Sequence, residues 1–390
     1  MKKFPTSLAK PFLDSPCLVG NMLRGAGRKY VRANLDKRKK TGESSALWLI
    51  SMRITDKCNH RCAVCGQYGE GGYNREDNDL PAVKGNVDVE RYKEMIDNIA
   101  HLKPHIYITG GEPFLYDGLM ELCRHIKSKN LTIQVVTNGV KLKERAQEIV
   151  EQGWDMICVS LDGPEEIHDR CRGVKGAYKT MKNGVKRIND LKKASGSRYP
   201  KMFLLTTLSS TNYDHLLDTV EECEKFKPDC LVIYYSWFTS QEVGKRHESI
   251  IEKELGVKPF AWKSYVRDNS EADFEALRKS VMEVKKGDWS FPVVFVPDLP
   301  SSEIETYYTD PTNFLGWKEC LTPWVEANIM PNGDVVNCRD FPDIIMGNIT
   351  QEKLLDIYNN ERFKEFRRVL ASQPQGVFPL CSRCCGLMGF

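Results

Sequence analysis

Residues 55–66 read Thr-Asp-Lys-Cys-Asn-His-Arg-Cys-Ala-Val-Cys-Gly and place three cysteines, Cys58, Cys62 and Cys65, in one short loop. Cysteines at such short spacings let a single loop wrap an iron–sulfur cluster. Three thiolates are one too few to close a cubic 4Fe–4S cluster, so one iron keeps an open coordination position. Zinc is the alternative, but it usually takes four protein ligands, and His60 inside the loop is poorly placed as the fourth.

On both sides of the loop the sequence alternates short β-branched runs with amphipathic segments of helix length. Strands are predicted at 47–55, 106–109, 131–137, 156–161, 201–208, 230–235 and 291–296, and helices at 89–101, 118–128, 142–152, 178–193, 213–226, 271–286 and 351–370. This alternation predicts an α/β protein whose parallel sheet, with helices outside, closes into a partial (β/α)6 barrel of the TIM type.

Four chemically distinctive segments fall at the predicted strand ends, where barrels of this kind gather their active residues. They are the cysteine loop, Gly110-Gly111-Glu112-Pro113, Asn138-Gly139 and Ser160-Leu161-Asp162-Gly163. Because motif and topology agree, the C-terminal edge of the sheet is the predicted site.

The cysteine loop, C-x3-C-x2-C, followed by a strand that ends in Gly-Gly-Glu-Pro, resembles the radical S-adenosylmethionine (SAM) enzymes. The resemblance implies that Cys58, Cys62 and Cys65 hold a 4Fe–4S cluster whose open iron chelates the methionine part of SAM. It also implies SAM contacts at Gly110, Gly111, Glu112, Asn138, Ser160, Asp162 and Arg172.

Within that set the resemblance places the glycine pair and Glu112 at the methionine ammonium and Arg172 at its carboxylate. Ordinary turn chemistry is the alternative for Asn138, Ser160 and Asp162. The family usually carries an aromatic residue before the last cysteine of the loop, whereas this sequence has Val64. No catalytic base is identified.

A second cysteine set lies near the end of the chain and consists of Cys320, Cys338, Cys381 and Cys384. Its spacing, with Gly333 opening the run to Cys338, resembles the auxiliary-cluster domain called SPASM, in its shortened twitch form. The resemblance implies a second 4Fe–4S cluster, closed by four thiolates, that serves as an electron relay or a structural staple. A four-cysteine zinc site is the alternative, and the adjacent Cys385 leaves the fourth ligand open.

Composition predicts an ordinary globular chain and excludes several classes. Of 390 residues 41% are hydrophobic and 28% charged, no apolar run is long enough to span a membrane, and no signal peptide is recognised, so we expect a cytoplasmic protein. Fourteen cysteines in such a chain favour metal ligation over disulfides.

Charge is distributed unevenly along the chain. Residues 1–46 carry eleven Lys and Arg against three Asp and Glu. Residues 18–35 are predicted to form a basic amphipathic helix, which either packs on the barrel as a solvated arm or contacts a membrane surface or an anionic substrate. Nucleic-acid binding is not expected, because the rest of the chain is acidic. The predicted domains are this basic segment (1–46), the barrel (47–310) and a small α+β auxiliary-cluster domain (311–390).

The function that the resemblance implies is reductive cleavage of SAM to a 5′-deoxyadenosyl radical, abstraction of a substrate hydrogen, and oxidation or rearrangement of a small molecule. The alternatives are maturation of a peptide or protein side chain, and carbon–carbon bond formation on a lipid-like substrate. A pocket for such a substrate would be lined by Tyr234, Tyr235, Trp237 and Phe238, but core packing is the favoured interpretation of these four rings. An electron donor such as flavodoxin or ferredoxin is the expected partner. A cluster-bearing sensor is disfavoured, because a sensor has no need of the Gly110–Pro113 turn.

Overall fold

The computed structural model describes residues 12, 15–269 and 272–388. Its strands are β1 Leu49–Arg53, β2 His105–Thr109, β3 Thr132–Thr137, β4 Met156–Ser160, β5 Lys201–Leu208, β6 Cys230–Tyr235, β7 Val293–Val296, β8 Glu326–Ile329, β9 Asp334–Cys338 and β10 Phe341–Asn348. They form one sheet in the order β10-β9-β8-β1-β2-β3-β4-β5-β6-β7.

Helices follow most strands, as the alternation predicts. The helices are α1 Pro16–Ala26, α2 Ala33–Arg38, α3 Val89–Ile99, α4 Leu119–Ser128, α5 Leu142–Glu151, α6 Glu165–Arg172, α7 Ala177–Ser195, α8 Leu216–Glu224, α9 Gln241–Leu255, α10 Phe274–Lys286, α11 Ile304–Thr309, α12 Thr322–Val325, α13 Leu354–Tyr358, α14 Glu361–Ser372 and α15 Cys385–Met388. Residue 271, the predicted start of α10, lies outside the described residues. No helix among the described residues has both the length and the apolar character needed to cross a membrane.

Strands β1 to β7 pair in parallel from neighbour to neighbour, which confirms the predicted partial barrel. Alternate side chains divide between two faces, as period-two geometry requires. Ile157, Leu204 and Ile233 belong to the large core that includes the helices. Cys158 and Phe203 point to the opposite, inner face of the barrel.

The C-terminal hairpin extends the barrel sheet. β8 and β9 pair antiparallel around Pro331-Asn332-Gly333, and β10 continues the antiparallel set. β8 also pairs in parallel with β1, so backbone hydrogen bonds join the auxiliary segment directly to the barrel.

One predicted helix is divided in two. The apolar periodicity of 351–370 predicts one helix, whereas the structure has α13 and α14 with Asn359 and Asn360 between them. The Asn360 side chain accepts a hydrogen bond from the backbone N–H of Phe363 at 2.9 Å and so caps α14. Asparagine competes with the helix for backbone donors, and here its cap starts a new helix.

The basic N-terminal segment packs as a helix against the end of the sheet opposite the predicted site. Leu18 and Phe12 join the inner-face cluster of the barrel. The guanidinium of Arg28 donates hydrogen bonds to the carbonyls of Leu47 and Leu102, which precede β1 and β2. Gly25 is required by close packing, since a Cβ there would lie 2.5 Å from the Trp48 ring.

Candidate functional site

The three cysteines of the first set lie in the loop that leaves the C-terminal end of β1, and each thiol has an N–H donor near its sulfur. Cys58 Sγ lies 3.5 Å from the backbone nitrogen of His60, and Cys65 Sγ lies 3.4 Å from that of Tyr68. Cys62 Sγ lies 3.7 Å from the Nη1 of Arg172. Donors in this position stabilise sulfur that carries negative charge, as in a metal-bound thiolate.

Partial burial makes the thiols of Cys58 and Cys62 poor acids in the absence of a metal ion. It raises the pKa of Cys58 to about 12 and also raises the pKa of Cys62. Thiolates are the metal-binding form, and binding a cation replaces the proton at the sulfur. Three partly buried thiols with N–H donors near their sulfurs therefore fit a cluster whose irons neutralise the thiolates.

The glycine pair after β2 holds the cysteine loop by its backbone. The N–H of Gly111 donates to the carbonyl of Thr55 at 2.8 Å, and the N–H of Glu112 donates to that of Lys57 at 2.8 Å. A Cβ on Gly110 would lie 2.7 Å from the Thr55 oxygen, and one on Gly111 would overlap the Lys57 carbonyl. The close approach that requires glycine is thus to the start of the cysteine loop.

We predict that Gly111→Ala destabilises the protein by about 1–3 kcal/mol, because the added carbon meets rigid backbone. It should also lower the iron retained by the loop, measured as iron per chain together with the thermal midpoint. Gly20→Ala is the matched control, since a Cβ at Gly20, within α1, meets nothing within 4 Å. Equal iron content in the two variants would contradict the assignment.

Glu112 ties the ends of β2 and β3 together. Its Oε1 accepts from the Thr137 hydroxyl at 2.7 Å, and its Oε2 accepts from the backbone N–H of Asn138 at 2.7 Å. Burial raises the pKa of the Glu112 carboxyl to about 7, and these donors oppose the rise. The Asn138 side-chain amide in turn donates to the Asn59 side chain at 2.8 Å. This hydrogen bond joins the ends of β2 and β3 to the cysteine loop.

Arg172 links the residues after β4 to the cysteine loop. Its Nη2 lies 2.6 Å from Asp162 Oδ2 while its Nη1 faces Cys62. Its Nε is buried and has no hydrogen-bond partner in the part of the chain that the structure describes, so one donor of the guanidinium stays available. The structure therefore brings the predicted Asp162 and Arg172 together with the cysteine loop. Ser160 ends β4 beside them and is largely buried.

Two further residues belong to this site: Thr137, which the sequence did not single out, and His60, which was considered only as a zinc ligand. Thr137 supplies the hydroxyl to Glu112, and its signal was its place directly before Asn138-Gly139. His60 is buried, and neither ring nitrogen has a hydrogen-bond partner among the described residues. Burial, together with the charge of Arg172, lowers the pKa of His60 to about 4, so its ring is neutral at pH 7.

The second cysteine set lines a single cavity of about 80 Å³. Cys320 precedes α12, Cys338 ends β9, and Cys381 and Cys384 lie in the turn before α15. Burial raises the pKa of all four thiols. Four thiols from three distant segments, converging on one cavity, match the donor set of a closed iron–sulfur cluster.

The neighbours of Cys384 and Cys385 differ. Cys384 interacts electrostatically with Cys320, Cys338 and Cys381 as well as with Cys385. Cys385 has its strongest charge interaction with Arg339, which also bonds to its sulfur. Both thiols line the cavity, and these electrostatic interactions favour Cys384 as the fourth partner of the other three thiols.

Two further side chains line this cavity without a sequence signal. His247, from α9, is buried, and its Nδ1 has no hydrogen-bond partner among the described residues. The same holds for both polar atoms of the Asn337 side-chain amide. Within residues 12, 15–269 and 272–388, no three His, Cys, Asp or Glu side chains are grouped to hold one metal ion. A cubic cluster does not require three ligands around one metal ion, because each thiolate binds a separate iron.

The aromatic set proposed as a lipid pocket is mostly core. Tyr235 and Phe238 are buried in the main core, where they contact Tyr307 and Tyr308. Trp237 packs on Tyr265, with ring centroids 4.0 Å apart. Tyr234 alone packs with the inner-face cluster of the barrel.

Comparison with known proteins agrees with both cysteine sites. Residues 52–223 match the family described as the radical SAM superfamily, and residues 320–385 match the SPASM iron–sulfur cluster-binding domain. The chain is 28% identical, over 47% of its length, to Fe-coproporphyrin III synthase of Methanosarcina barkeri, of which the match covers 43%. It is 27% identical, over 44% of its length, to the sporulation killing factor maturation protein SkfB of Bacillus subtilis, of which the match covers 38%.

The chain thus spans less than half the length of these curated relatives. Among solved structures, Streptococcus suis SuiB bound to its precursor peptide SuiA superposes with a TM-score of 0.60 at 14% identity. That alignment covers 92% of this chain and 74% of SuiB, and it supports the fold.

Proposed function

We propose that this chain, which belongs to the radical SAM superfamily and carries a SPASM domain, reductively cleaves SAM and uses the resulting radical on a substrate. The observation that carries the proposal is the C-terminal edge of the sheet. There the three thiols of one loop, the Gly110-Gly111 turn and the Asp162–Arg172 pair meet. A 4Fe–4S cluster and SAM, bound there, supply cleavage of a sulfur–carbon bond to methionine and a 5′-deoxyadenosyl radical.

The chain's own residues hold and orient these groups. Cys58, Cys62 and Cys65 ligate the cluster, and the N–H donors at their sulfurs stabilise the thiolate charge. The Nε of Arg172, which has no hydrogen-bond partner among the described residues, would bind the carboxylate of SAM. The buried Glu112 carboxylate, whose pKa is raised to about 7, gains a cationic partner in the methionine ammonium.

Asn138, Ser160 and Asp162 complete the SAM site at the ends of β3 and β4. Asp162 is fixed on two sides, because its Oδ1 accepts from the backbone N–H of Thr207 at 3.0 Å while its Oδ2 holds Arg172. Its part is therefore to position the guanidinium. Burial of this corner excludes water and so protects a reactive radical from side reactions.

Cys320, Cys338, Cys381 and Cys384 ligate one auxiliary 4Fe–4S cluster, for which we propose the role of electron acceptor. The substrate radical would pass its electron there, which makes oxidation or rearrangement of a small molecule the leading reaction. Peptide maturation is the second candidate, supported by the likeness to SkfB. The electron donor is a flavodoxin or ferredoxin, and the reaction takes place in the cytoplasm.

The deciding experiment is anaerobic reconstitution followed by dithionite and SAM. We expect about eight irons per chain, as two cubic clusters require, together with equimolar methionine and 5′-deoxyadenosine. No 5′-deoxyadenosine from protein with a full iron content would refute the proposed cleavage. About four irons with bound zinc would remove only the auxiliary relay.

A further inference from the structure

α1 continues through the π-helix Gly27–Arg32 into α2, and we call this continuous stretch the N-terminal helix. It exposes four large apolar side chains. Leu23, Tyr30, Val31 and Leu35 are 69%, 47%, 59% and 53% exposed. Among the described residues, the only other exposed large apolar side chains are Met282 and Ile345, each 38% exposed. We call these four side chains, with the cations that surround them, the outer face of the helix.

Positive charge surrounds the outer face. Residues 16–40 contain one acid, Asp36, and eight Lys and Arg. Five of these cations are exposed and can form the rim, namely Arg24, Arg32, Arg38, Lys39 and Lys40. Asp36 is buried, and its carboxylate accepts from Lys39 and from the Ser45 backbone. The outer face therefore has an apolar centre and a cationic rim, which is the anatomy of a protein interface for an acidic partner.

The inner side of the same helix contacts the loop that carries an auxiliary-cluster ligand. Lys37 forms an ion pair with Glu319 at 2.6 Å, and Glu319 immediately precedes Cys320. The Lys29 ammonium interacts electrostatically with Cys320, Cys384 and Cys385. The outer face is thus the outside of the helix that covers the auxiliary site.

We propose that the outer face docks an acidic one-electron carrier protein that exchanges electrons with the auxiliary cluster. This inference rests on the proposed function, in which the cluster accepts an electron from the substrate radical. The cluster is then oxidised from the 1+ to the 2+ state, and an oxidised flavodoxin takes the electron to become its semiquinone. An anionic membrane would also suit the cations, but the contacts to the Cys320 loop favour a redox partner.

The test is binding and reduction of a flavodoxin by the full-length reconstituted protein. The variant combines Leu23→Ser, Val31→Ser, Arg24→Glu and Arg38→Glu, all at exposed positions. We expect about a tenfold increase in the Kd for flavodoxin, measured calorimetrically at low salt, with a smaller salt dependence. The matched control reverses two exposed lysines of α7, Lys179→Glu and Lys186→Glu, and should bind as the parent does.

Dithionite-driven formation of 5′-deoxyadenosine should be the same in all three proteins, because small reductants need no docking surface. If the parent protein formed no 5′-deoxyadenosine, the proposed function would be refuted. The flavodoxin affinities would still test the docking proposal separately. Unchanged flavodoxin affinity in the variant would overturn the docking proposal. The outer face would be assigned to a membrane instead if two results came together. The flavodoxin affinity would be unchanged in the variant, and the parent, but not the variant, would float with phosphatidylserine vesicles.

Discussion

Cys58→Ala is expected to abolish 5′-deoxyadenosine formation. The three thiols of the loop are the complete protein ligand set that we propose for the first cluster, so removing one leaves an iron without its ligand. About four of the expected eight irons should be lost. The measurement is product formed with dithionite and SAM under anaerobic conditions, together with iron per chain.

The control for this variant is Cys17→Ala, which removes an exposed thiol that belongs to neither cysteine set. It should keep both the iron and the product of the parent. Retained SAM cleavage in Cys58→Ala would contradict the ligand assignment. Loss in both variants would point instead to general instability of the protein.

The barrel was predictable because its signals are local. Strand and helix periodicities lie within a dozen residues, and the strand-end positions of the cysteine loop and of Gly110–Pro113 follow from them. The roles of the glycines were less predictable. The sequence indicated a close approach of backbone to a ligand, whereas the structure shows that Gly111 is packed on Lys57 of the cysteine loop.

Side-chain partners at the site also depend on contacts that sequence spacing does not reveal. Arg172 was predicted to pair with SAM, and in the structure it also holds Asp162 and faces Cys62, more than a hundred positions away along the chain. His247 reaches the auxiliary cavity from α9, far from every cysteine of that set. Such neighbours are set by how the elements pack, which no local pattern records.

The second large effect that we expect is the loss of iron when a ligand of the auxiliary cluster is replaced. Cys338→Ala should lose about four irons per chain and the corresponding reduced-cluster spectrum. It should nevertheless still cleave SAM with dithionite, because Cys58, Cys62 and Cys65 are untouched. Loss of SAM cleavage with a full first cluster would show that the two sites are not separable.

Cys384→Ser and Cys385→Ser form a matched pair that decides the fourth ligand. Both thiols line the cavity, but Cys384 interacts electrostatically with Cys320, Cys338 and Cys381, whereas Cys385 interacts with Arg339. We therefore expect Cys384→Ser to lose iron as Cys338→Ala does, and Cys385→Ser to keep it, measured by iron content and the spectrum of the reduced protein. The reverse pattern would show that Cys385 is the fourth ligand. The auxiliary cluster would then lie next to Arg339, and its ligand Cys385 packs on the inner-face cluster of the barrel.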